Sequence, residues 1–69
     1  MIEVFKTNVQ DQRDAGKLID HLLEHFPHSR INFDLLDCDR ILRVEGQDFE
    51  TGEIIELIEA NGFNCSVLE

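Results

Sequence analysis

Apolar residues recur at two different intervals along this chain, and the order in which those intervals alternate leaves few folds open. From Ile2 to Thr7 apolar and polar residues alternate, with Ile2 and Val4 on one side, as in a strand. From Ala15 to Phe26 the interval lengthens. Ala15, Leu18, Ile19, Leu22, Leu23 and Phe26 fall at i, i+3, i+4, i+7, i+8 and i+11, the stripe of an amphipathic helix. Asp11 or Asn8 is placed to cap this helix, and Asp14 falls in its first turn beside the positive end of the dipole. Gly16 lowers the local helix propensity, and Pro27 ends the helix.

Strict alternation returns over Ser29 to Leu35, with Ile31, Phe33 and Leu35 inward, and again over Arg40 to Glu45, with Leu42 and Val44 inward. The polar Asp37-Cys38-Asp39 between them predicts an antiparallel hairpin. Gly46-Gln47-Asp48 breaks the pattern, and Asp48 is the expected cap of a second helix. That helix turns Ile54, Ile55, Leu57 and Ile58 inward and leaves Glu53, Glu56 and Glu59 wet. Gly62 after Asn61 suits the left-handed position at a helix end. Phe63, Cys65 and Val67 then share one face of a last strand. The order β-α-β-β-α-β, closed by right-handed crossovers, predicts an α+β ferredoxin-like sandwich over 1–69. Its antiparallel sheet has four strands, with two helices on one face and the other face open.

A chain of 69 residues holds one small core, so a site belongs on a loop or an outer face rather than in an enclosed cavity. Its 15 acids against 6 Lys and Arg give a formal charge of −9, which repels phosphate backbones and anionic headgroups. Nucleic acid and membranes are therefore not expected partners; a basic partner or a cation suits this charge better. Cys38 and Cys65 form no metal-ligand or redox spacing, and Met1-Ile2-Glu3 lacks the basic start and long apolar stretch of a secretory leader. The expectation is a cytoplasmic protein with reduced thiols.

No arrangement of residues predicts catalysis. Ser29, Ser66, Thr7 and Thr51 have no partnered base. Cys65 reads as a small buried hydrophobe, and Cys38, flanked by Asp37 and Asp39, as a poor nucleophile. His21, His25 and His28 stand as His-x3-His-x2-His at the end of the first helix. His21 and His25, at i and i+4, can meet one Zn or Ni ion from a single helix face, with Asp14 roughly in line. Solvated histidines near a helix C-terminus, where positive charge is welcome, are the simpler explanation.

Glu53-Ile54-Ile55-Glu56-Leu57-Ile58-Glu59-Ala60-Asn61-Gly62-Phe63 resembles the last helix and final-strand entry of the heavy-metal-associated domain of copper chaperones and metal-pumping ATPases. Leu18-Ile19-Asp20-His21-Leu22-Leu23 is similar to its first helix, and the resemblance extends over nearly the whole chain. The family's metal site is a Cys-x-x-Cys pair at the loop-to-helix junction, where both thiolates face one soft ion. The matching window here is Asp11-Gln12-Arg13-Asp14, with no thiol. Asp11 and Asp14 keep the spacing but offer hard oxygens unsuited to Cu(I), and Arg13 is placed to neutralise one of them.

The resemblance therefore implies a non-catalytic domain that has lost its thiol site and needs no cofactor. Such a domain binds a protein partner or itself through the open sheet face or an edge strand. Two alternatives stand beside it. One is metal binding or delivery through the His or Asp ligands, the other a small-molecule-sensing module similar to the ACT domain, which shares the topology.

Overall fold

A computed structural model of the chain describes residues 1–47 and 49–69. The elements are β1 (Ile2–Thr7), α1 (Gln12–His25), β2 (Arg30–Asp34), β3 (Ile41–Glu45), α2 (Thr51–Ala60) and β4 (Cys65–Val67). The strands form one antiparallel sheet in the order β2-β3-β1-β4, and the helices cover one of its faces in a ferredoxin-like α+β sandwich. Among the described residues no helix is long and apolar enough to cross a membrane.

Register explains which side chains are buried. Phe5 lies opposite Leu42 on one side and Val67 on the other, and Thr7 lies opposite Cys65. Ile31 and Phe33 pair with Val44 and Leu42. These residues form the inner face, against which α1 sets Ala15, Leu18 and Leu22 and α2 sets Ile54 and Ile58. Phe5, Leu22, Leu42, Val44, Ile54 and Ile58 are fully buried. Truncating one such side chain to Ala costs about 2–5 kcal/mol, comparable to the whole stability of a domain this small.

Three details differ from the sequence expectation or sharpen it. Ile2 and Val4 do share one side of β1, but it is the open side, while Phe5 and Thr7 supply the core. The last strand is confined to Cys65–Val67 at a sheet edge, so Val67 stays 37% exposed. Val9 and Phe49, in loops without periodicity, are nonetheless core residues.

The helix ends follow local chemistry. Asp11 Oδ1 accepts the Asp14 N–H at 2.8 Å and caps α1. Asn8 does something else: its Oδ1 accepts the Asn64 N–H at 2.7 Å and ties the first loop to the approach of β4. Asp48, the expected cap of α2, lies outside the described residues. Glu50 occupies the N-cap position, and Glu53 Oε1 accepts its N–H at 3.3 Å. Gly62 follows α2 with φ +91°, the left-handed conformation its position predicts.

Candidate functional sites

The β1–α1 loop is the place where the resemblance puts a metal. Here its residues hold the fold together. Val9 is fully buried, Asn8 is bound to Asn64, and Asp11 is bound to the first turn of α1. Gln12 and Arg13 are exposed, and Asp14 is half-buried. Among the described residues the ion pair is Lys6 Nζ to Asp39 Oδ1 at 3.9 Å, so Arg13 neutralises neither acid of the window. Asp11 and Asp14 meet through a backbone N–H rather than through two free carboxylates.

The histidines lie far from that loop. Asp14 and His21 are two helical turns apart, about 10 Å along the axis. The structure therefore does not bring Asp14 to the histidines, and the four candidate ligands do not form one group. His21 and His25 instead line a groove of about 430 Å³ between α1 and α2, facing Glu53 and Glu56. His25 also lines, with His28, a cleft of about 660 Å³ at the end of the sandwich that holds Met1 and the α1–β2 and β3–α2 turns. Arg30 and Glu45 close the side of that cleft. The sequence reading assigned Glu53 and Glu56 only to the wet face of α2. Their i, i+3 spacing signals a shared face, but which histidines they meet depends on how the helices pack.

The hairpin tip carries the group of possible metal donors whose ligand atoms lie within 4.8 Å of one another among the described residues: Asp37, Cys38 and Asp39. Its acids already have partners. Asp37 Oδ1 accepts the Asp39 N–H at 2.9 Å, and Asp39 pairs with Lys6. Both cysteines are free, Cys38 exposed and Cys65 buried. Burial, reinforced by the charge of Glu59, pushes the Cys65 thiol from 9.0 up to about 12. That thiol is held protonated and inert.

The open face of the sheet is built from the other phase of each strand. Val4, Ile41 and Leu68 form a half-buried apolar middle, extended by Ile2, which is 56% exposed. The Leu68 N–H donates to the Val4 carbonyl at 2.9 Å, which fixes the two side by side. Around this middle the charges alternate. Arg30 lies opposite Glu45, Arg43 opposite Asn32, and Asp34 opposite Ile41, with Lys6 on β1. Half of the six Lys and Arg thus sit on one face, beside only two acids. The helices and their caps carry the opposite bias: Asp11, Asp14, Asp20, Glu24, Glu50, Glu53, Glu56 and Glu59 against Arg13 and Lys17. The molecule has an acidic helical side and a nearly neutral sheet side.

In comparisons with known proteins, no family model, no curated protein and no solved structure matches the chain.

Proposed function

We propose that the chain is a non-catalytic, cytoplasmic interaction domain of the heavy-metal-associated type without its thiol site, and that it self-associates through the open sheet face. The observation that carries this reading is the composition of that face: an apolar middle of Val4, Ile41 and Leu68 ringed by charges of both signs on an otherwise acidic molecule. A strongly basic partner would be drawn to the helical side, where the acids are. A second copy meets the sheet face on equal terms, because two of the three cations of one copy can be offered the two acids of the other. Arg43 beside an aliphatic cluster is also the residue type that interfaces favour.

The edge strands offer less. β2 points Arg30 and Asp34 outward in its five residues, and β4 is three residues long, both of which blunt strand addition. With principal extents of 27 × 25 × 18 Å the sheet face is small. A dimer through it buries on the order of 1,200 Å² in total, the lower end of specific interfaces, so micromolar association is expected. Amide spectra at increasing protein concentration test the reading. Shifts should concentrate at Val4, Ile41, Arg43 and Leu68; movement confined to the helices, or none at all, would count against it.

A further inference from the structure

We propose that the groove between α1 and α2 is a binding site for one divalent transition-metal ion of the Zn or Ni class, held by His21 and His25 from α1 and Glu56 from α2, with Glu53 beside them. Three observations lead there. His21 and His25 stand one helical turn apart on the same face of α1, a spacing that lets two imidazoles meet one ion. Glu53 and Glu56, likewise one turn apart on α2, line the same groove of about 430 Å³. The chain direction reverses between α1 and α2, so the C-terminal half of α1, which bears both histidines, lies beside α2 over these turns.

Donor chemistry fits this ion class. Two neutral nitrogens and one carboxylate oxygen are a common donor set for Zn and suit Ni, whereas Cu(I) favours sulfur and Ca or Mg an all-oxygen shell. Glu53 already accepts the Glu50 N–H through Oε1, which leaves its second oxygen, while the Glu56 carboxylate has no hydrogen-bond partner among the described residues. The acidic helical side adds a long-range attraction for any cation. All four side chains lie on the surface and their ligand atoms do not yet converge, so closing the site requires rotamer changes. Affinity should accordingly be micromolar. This site differs from the set suggested by sequence, because Asp14 and His28 are left out, and it is independent of the sheet face.

Titration of the full chain with Zn²⁺ or Ni²⁺ alone, followed through the imidazole resonances and by calorimetry, tests the site. The expected result is saturable one-to-one binding in the micromolar range. His21→Ala or His25→Ala should weaken it at least tenfold, Glu56→Gln severalfold, and His28→Ala and Asp14→Ala should leave it unchanged. Because the ion ties two helices together, it should also raise the melting temperature of the wild-type chain, and at equal metal concentration raise that of Glu56→Gln by less. No saturable shift at millimolar metal would overturn the proposal. So would equal losses in His28→Ala and His25→Ala, or a Glu56→Gln variant that binds and stabilises like the wild type.

Discussion

The hydroxyl of Thr7, buried at the end of β1, donates to the carbonyl of Arg40, the described non-glycine residue with a positive φ (47°). The same oxygen accepts the Val9 N–H at 3.2 Å, and the Thr7 N–H donates to the Asp39 carbonyl at 3.1 Å. One small side chain thus fastens the β1–α1 loop to the hairpin tip. Arg40 adds its own clasp, donating from its guanidinium to the Leu35 carbonyl at 2.6 Å.

Replacing that hydroxyl by a methyl of the same shape leaves a carbonyl and an N–H without partners. Thr7→Val should cost about 2 kcal/mol, the usual penalty for stranded buried polar groups. Thr7→Ser should keep most of the stability. Urea unfolding measures both; equal midpoints for the wild type and Thr7→Val would show the hydroxyl to be idle.

Asp11 is read here as a helix cap, not a vestigial ligand. Asp11→Ala should therefore destabilise the domain by about 1 kcal/mol, and Asp11→Ser should restore most of the loss, since Ser caps as well as Asp does. The same unfolding measurement decides it. A neutral Asp11→Ala would detach the residue from the helix start.

Much of this arrangement is readable from the residues, for definite reasons. Leu18, Leu22, Ile54 and Ile58 keep helical spacing, and Leu42 and Val44 keep strand spacing, so the element order and the inward sets follow. Alternation in β1 divides its side chains into two faces without saying which is buried. Phe5 wins over Ile2 and Val4 because it lies between Leu42 and Val67, a fact of pairing and not of local pattern. Val9 and Phe49 are single apolar residues in polar loops and have no period to betray them. The Thr7–Arg40 bond and the facing of His21 and His25 toward Glu53 and Glu56 join residues distant in sequence. Only the packed molecule brings them together.

Cys65 links stability to alkaline pH. Its thiol titrates near 9.0 when unfolded and near 12 in the fold, so the native state holds a proton that the unfolded chain has already lost. The contribution is fully present below pH 9.0 and is lost as pH rises toward 12. Between these limits the wild type should lose stability more steeply than Cys65→Ala, whatever their difference at neutral pH. Parallel stability–pH curves would contradict the burial argument. At mildly alkaline pH a thiol reagent should reach the exposed Cys38 in the folded chain and Cys65 only on unfolding.

Sedimentation equilibrium bears most directly on the central claim, that the open sheet face joins two copies. Run from about 10 μM to about 1 mM, a range that brackets micromolar affinity, the wild-type chain should rise from 8.0 kDa toward twice that mass. Val4→Glu and, at an exposed position, Arg43→Glu should both remain at 8.0 kDa while keeping the native amide spectrum. A wild-type chain that stays at 8.0 kDa throughout, or substituted chains that associate as well as the wild type, would contradict it.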